Sequence, residues 1–134
     1  MKRLFSGLLA LVLAVSIGLT GCAAGDSANG ISGNYRNDTM ALIDSLRTAI
    51  DLPEDDPAKR PAQAEARARI NSFASHYRRD GRVTGLGSFT TMRTALNSLA
   101  AHYSAYPNRP VPEKLKKRLL QEFRQVEMSL ERGA

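Results

Sequence analysis

Across SFTTMRTALNSLAAHYSAY, residues 88–106, the side chains Phe89, Met92, Leu96, Leu99, Tyr103 and Tyr106 recur at alternating steps of three and four. That spacing lays one apolar stripe down about five helical turns, whereas a strand would alternate every second residue. The stripe predicts a central helix over Ser88–Tyr106. Ser88 is placed to cap it by accepting from a free amide of the first turn, and Gly85 and Gly87 stop any earlier helix from running through. A stripe of this length is stable only against other stripes, so the rest of the chain must supply them.

The chain supplies three more. From Asn34 to Ile50 the face is Tyr35, Thr39, Leu42, Ile43, Leu46 and Ile50, with weak exposed pairs expected between Asp44 and Arg47 and between Arg47 and Asp51. Two prolines and three acids then make Leu52–Pro57 a solvated turn whose negative charge favours the start of the next helix. That helix runs from Ala58 or Pro61 to Arg79 on a seam of Ala62, Ala66, Ile70, Phe73 and Tyr77, small enough at its start for a neighbouring backbone to come close. Asp80–Gly87 reads as a loop. After Pro107–Val111 the last stripe is Leu115, Leu119, Phe123, Val126 and Leu130, with Pro112 at the first helical position and Gly133 as the stop near Arg132.

Aromatic residues are few, four Phe, four Tyr and no Trp among 134 residues, so the core must be aliphatic and alanine-rich, which suits close-packed helices better than a sheet. One small core is all this length holds. Connections of six to ten residues favour antiparallel neighbours, and the expected fold is all-α, an antiparallel up-down-up-down four-helix bundle over residues 34–134.

The N-terminus carries a different signal. Met1 to Cys22 has a basic start at Lys2 and Arg3, an apolar run from Leu8 to Leu19, and then Leu-Thr-Gly-Cys. The run is too short and wrongly flanked for a membrane span, and small residues before Cys22 are what a signal peptidase requires. The box resembles a bacterial lipobox, which assigns residues 1–21 to a removed signal and Cys22 to lipidation. The cysteine is the only one in the chain, so no internal disulfide is available. Residues 22–33 then read as a lipidated tether. Its eleven residues after Cys22 are small, polar and glycine-rich and span ~18 Å, which keeps the folded part close to the membrane. Loss of Lys2 and Arg3 takes the formal charge from +6 to +4. An exported basic chain is expected to meet an anionic membrane surface or an acidic protein partner, not nucleic acid.

Catalytic or metal chemistry needs convergent polar groups, and the sequence offers few. His76 and His102 sit at the borders of apolar stripes with no acid three residues away, so each reads as structural, and no metal or other cofactor is expected beyond the covalent lipid. Glu54-Asp55-Asp56 lacks the alternating ligands and glycine of a calcium loop, and the glycines of residues 81–87 form no phosphate loop. An enzyme is not expected. The candidate functional residues are surface ones: Lys114, Lys117 and Arg118, with Lys116, crowd the first turns of the last helix against its dipole, and Arg93 and Asn97 lie off the central stripe.

The segments NYRNDTMALIDSLRTAIDLP, AQAEARARINSF with HYRR, and GSFTTMRTALNSLAAHYSAYPNRPVPEKLKKRLLQEF, together with the box at Cys22, resemble the photosystem II lipoproteins of cyanobacteria. The likeness covers roughly residues 34–133. It implies a lipid-anchored bundle on the lumenal side of the thylakoid membrane. It also implies a non-catalytic factor, monomeric when free, that binds immature or damaged photosystem II at the lumenal loop of an inner antenna subunit. Such a factor permits manganese-cluster assembly and delays the extrinsic subunits. Plastid members lack the anchor, so the LTGC box points to a bacterial member. Two readings compete with it: a general envelope lipoprotein acting as a structural spacer or adaptor, and a metal-delivering bundle.

Overall fold

The structure is a computed structural model that describes residues 30–107 and 109–134. The signal, the lipobox and Cys22 lie outside the described residues. The elements in order are α1 (Tyr35–Asp51), α2 (Lys59–Tyr77), the one-turn α3 (Gly81–Thr84), α4 (Gly87–Ala105) and α5 (Glu113–Glu131). No strand occurs among the described residues.

The apolar stripes meet as their periodicity requires. α1 packs along α2 and α4 along α5, and lighter seams between α1 and α5 and between α2 and α4 close the ring. Ile43, Leu46, Met92, Leu99, Leu119 and Phe123 are fully enclosed at its centre. Each such side chain contributes about 1.5–3 kcal/mol by leaving water.

Direction follows from contacts at the two ends. At what we term the proximal end, Tyr35 Oη lies 2.8 Å from Ser88 Oγ, and the Ser88 amide donates to the Ala134 carbonyl at 3.2 Å. The Tyr35 ring also stands edge-on to Tyr77 at 5.4 Å. These contacts gather the start of α1, the end of α2, the start of α4 and the end of α5. At the distal end Lys116 pairs with Asp51 at 3.0 Å, joining the start of α5 to the end of α1. The architecture is therefore an up-down-up-down antiparallel four-helix bundle with one short helix inserted between α2 and α4.

Several local expectations are corrected. Ser88 does not cap α4: the helix begins at Gly87, Leu86 occupies the cap with no side-chain bond, and Ser88 is fully buried facing Tyr35. A hydroxyl that could serve a local amide is instead used across the bundle, where burial makes its partner more valuable. Tyr106 leaves the stripe, since it terminates α4 and is 49% exposed. The loop after α2 contains α3, capped by Asp80 accepting from the Arg82 amide at 3.0 Å, which turns Val83 into the core. Pro112 is the cap of α5 and not its first residue. Arg47 pairs with neither Asp44 nor Asp51 and instead grips Glu127 of α5 through both guanidinium nitrogens, at 2.6 and 2.9 Å. Gly133 does end α5, with φ +80°, a backbone region that side chains other than glycine's resist.

Part of the segment read as tether is folded. Ile31 packs against the core, and Ser32 and Gly33 donate to Asp38 in the first turn of α1. The chain therefore reaches α1 held against the proximal end.

Candidate functional site

The two ends of α1 carry buried charges of opposite sign. At its start Asp38, 3% exposed, accepts from the Ser32 amide at 2.8 Å and hydroxyl at 2.6 Å, from the Gly33 amide at 3.2 Å and from the Tyr77 hydroxyl. Burial alone would raise its carboxyl, but these donors more than offset burial and hold it below the ordinary carboxylate range. Tyr77 responds in the opposite sense: burial first, then the neighbouring carboxylate, push its hydroxyl well above the usual tyrosine range. At the other end of α1, Lys59 is 5% exposed, and its Nζ donates to the carbonyls of Ala49, Ile50 and Leu52 at 3.1, 3.4 and 2.8 Å. An anion at the N-terminal end of a helix and a cation at its C-terminal end both complement its dipole. Both are structural uses of charge, and neither is placed to meet a substrate.

The histidines lie at opposite ends. His76 is exposed with its ring edge-on to Tyr77 at 4.6 Å, and His102 is buried with Nε2 3.3 Å from the Arg109 carbonyl. Among the described residues no group of three or more His, Cys, Asp and Glu could hold a metal ion. The grooves between helices are open and shallow, with volumes of 230–260 Å³.

The predicted surface residues are all exposed, but they do not form one patch. Arg93 lies in the second turn of α4, on the proximal half, and Asn97 lies at mid-length. Lys114, Lys117 and Arg118 stand at the start of α5, which the antiparallel arrangement puts at the distal end. Two of the four clustered cations are engaged, Lys116 with Asp51 and Arg118 with Glu122 at 3.1 Å. Among the described residues Lys114 and Lys117 form no ion pair, so they keep their full field toward solvent. Lys114 and Arg118 also border a shallow apolar depression with Pro112 and Leu115.

The sequence reading missed Asp38, Lys59 and the Arg47–Glu127 clasp. An acid in the first turn of α1 was a visible signal for the first. Nothing local marks Lys59, because lysine is almost always a surface residue.

Fold and surface together define a small basic four-helix bundle whose buried polar groups are spent on closing its own ends. The chain belongs to the Photosystem II Pbs27 family, whose sequence pattern matches residues 6–130. It is 60% identical over 134 residues, all of this chain and 98% of the relative, to the "Photosystem II assembly factor lipoprotein Psb27" of Thermosynechococcus vestitus. It is 36% identical over 100 residues, 74% of this chain and 58% of the relative, to the "Photosystem II repair protein PSB27-H1, chloroplastic" of Arabidopsis thaliana. Among solved structures it resembles the solution structure of Psb27 from cyanobacterial photosystem II, with a TM-score of 0.76 and 56% identity over 82% of this chain and 96% of that one. No described helix is long and apolar enough to cross a membrane.

Proposed function

We propose that this protein is a non-catalytic assembly and repair factor of photosystem II, held on the lumenal side of the thylakoid membrane by a lipid on Cys22. In this reading residues 1–21 are removed, the exported bundle is monomeric when free, and it binds immature or damaged photosystem II transiently. It docks on the lumenal loop of an inner antenna subunit, leaves the manganese site open to assembly, and delays the extrinsic subunits. The observation that carries the reading is end-to-end likeness to an assembly-factor lipoprotein at 60% identity, across all of this chain.

The contact residues we assign fall at two places, the cationic start of α5 and the outer face of α4. Lys114 and Lys117 are exposed without ion pairs among the described residues, Arg118 can exchange Glu122 for an external carboxylate, and Arg93 and Asn97 offer donors on the outer face of α4. Exposed charges of this kind steer encounter and set salt dependence more than they add to resting affinity.

Recovery of the lipidated protein from thylakoids tests the role. Antenna and reaction-centre subunits of assembly intermediates are expected with it, and little mature oxygen-evolving complex; equal recovery of the mature complex would overturn the proposal. Reversing Lys114, Lys117 and Arg118 to Glu is expected to weaken that association by about tenfold or more at low salt. Unchanged affinity would place the contact elsewhere on the bundle.

A further inference from the structure

The proximal end of the bundle carries an arginine collar that the cross-bundle contacts gather in one place. Arg36 lies in the first turn of α1, Arg78 and Arg79 follow α2, Arg82 is on α3, and Arg132 closes α5. All five are exposed, and the Arg82 side chain retains 91% of its accessibility. The acids that face them are Asp80, which bonds Arg82 at 3.1 Å, exposed Glu131, and Asp38, whose carboxylate is enclosed and already saturated with donors. Among the described residues Arg36, Arg78, Arg79 and Arg132 have no ion-pair partner. Four unpaired arginines on one end of a small bundle are an attractive field for a dense anionic surface.

The same end receives the N-terminal chain. Ile31 is packed on the core and Ser32 and Gly33 are tied to Asp38, so the point at which the chain leaves the bundle is fixed beside the collar. Eight residue steps separate Cys22 from Gly30, a reach of at most about 29 Å fully extended. That is about the length of one helix of this bundle, since nineteen residues of α2 rise about 28 Å. At its ordinary span of about 16 Å this stretch keeps a lipid at Cys22 nearer the proximal end, and only a fully extended chain laid back along the bundle would bring the distal end to the headgroups.

We propose that the proximal end is a lipid-facing platform: Arg36, Arg78, Arg79, Arg82 and Arg132 rest on anionic headgroups, stand the bundle upright, and present its distal end to the lumen. The proposal rests on the lipid-anchor reading above. Each basic side chain close to an anionic leaflet favours the bound orientation by about fivefold, so the collar is strong enough to select an orientation once the anchor supplies proximity. Lys114 and Lys117 are then held on the order of 25 Å from the headgroups, clear of the surface that would otherwise compete for them.

The test uses the processed, acylated protein reconstituted in vesicles of phosphatidylcholine alone or with about a third phosphatidylglycerol. Arginine modification by phenylglyoxal is followed residue by residue by mass spectrometry. In the anionic vesicles Arg78, Arg79 and Arg82 are expected to react at least fivefold more slowly than in neutral ones, while Arg93 and Arg124 on the flanks of the bundle react equally in both. High salt should abolish the difference. In a variant with Arg78→Gln, Arg79→Gln and Arg82→Gln, the protection left at Arg36 and Arg132 should fall. Equal reactivity of the collar in both vesicles, or protection at Arg93 or Arg124 in its place, overturns the platform. Flotation with neutral vesicles reports the anchor separately: a chain that fails to float there has lost the lipid-anchor reading, whatever the arginines do.

Discussion

The proximal and distal ends of this bundle face the same physical problem and solve it with opposite charges. Both must satisfy backbone groups where helices stop, next to a core that excludes water. The proximal end uses one buried anion, Asp38, surrounded by neutral donors from two separate stretches of chain, Ser32–Gly33 and the end of α2. The distal end uses one buried cation, Lys59, which collects three carbonyls from the last turn of α1 and lies 3.7 Å from exposed Glu54. The difference lies in reach. Asp38 ties the incoming chain and α2 to α1, so it organises elements distant in sequence, whereas Lys59 bonds residues seven to ten positions away and closes a single turn.

The proximal lock should therefore be the costlier to break. Asp38→Ala leaves the Tyr77 hydroxyl and the Ser32 and Gly33 amides without their acceptor, and is expected to destabilise the protein by about 3–4 kcal/mol, read by urea or thermal denaturation. Asp38→Asn, which keeps the shape, should cost less than Ala but more than half as much if charge is what the donors require. At the distal end Lys59→Met retains the apolar stem and removes the ammonium, for an expected loss of about 2 kcal/mol. A larger loss at Lys59 than at Asp38 would reverse the comparison and make the α1–α2 turn the keystone of the fold.

The proximal lock also responds to pH at both limits. Asp38 has a folded-state affinity for protons below its ordinary value of 3.8, so it contributes stability that is fully present above that value and is lost as pH falls through the lower one. Tyr77 is raised above its ordinary value of 10.0, so its contribution is complete below pH 10 and declines as pH rises beyond it. The proximal lock is thus intact across the window between those limits. Tyr77→Phe should remove part of the alkaline loss of stability, and Asp38→Asn part of the acid loss; a stability profile unchanged at both limbs would detach titration from the lock.

What could be read in advance follows the same division between near and far. The four long helices were legible because an apolar side chain every three or four residues is a local pattern with one three-dimensional meaning. The end of α5 at Gly133 was legible for the same reason. Ser88 was misread because a serine ahead of a stripe satisfies the local rule for a cap, while its actual partner, Tyr35, lies 53 residues away. Arg47 was misread in the same way: Asp44 and Asp51 are close in sequence, but Glu127 is the acid that the packed α1–α5 seam brings into bidentate range. Lys59 gave no signal, since its burial depends on where the Leu52–Pro57 turn folds back. Of the surface residues, sequence showed that Lys114, Lys117 and Arg118 are cationic. It could not show that Arg118 and the neighbouring Lys116 are engaged, by Glu122 and Asp51.

A smaller perturbation separates the two hydroxyl contacts at the proximal end. Tyr35→Phe keeps the ring against Phe73 and Tyr77 and deletes the bond to buried Ser88. The expected loss is about 1 kcal/mol, or a fall in melting temperature of about 4–8 °C for a domain of this size. Ser88→Ala should cost about as much alone and almost nothing further in the double variant, since removing both partners leaves no unpaired group. Additive losses would mean that the two hydroxyls contribute independently and that the bond between them carries no stability.

The smallest expected effect lies between the ends, and it measures how much of the stability is electrostatic outside the two locks. The Arg47 and Glu127 side chains keep 30% and 21% of their exposure, so solvent screens the pair, yet the bidentate geometry at 2.6 and 2.9 Å gives it more than an ordinary surface bridge. Arg47 is held above the ordinary arginine value, chiefly by its bonds to Glu127, so its guanidinium keeps its charge. A double-mutant cycle with Arg47→Met and Glu127→Gln should give a coupling of about 0.5–1 kcal/mol, reduced by added salt. The locks at the two ends, buried and shielded from ions, should show much less salt dependence over the same range. A clasp coupling above that of Asp38 with Tyr77 would move the main polar restraint from the proximal end to the α1–α5 seam, and the asymmetry between the ends would then be secondary to the one between seams.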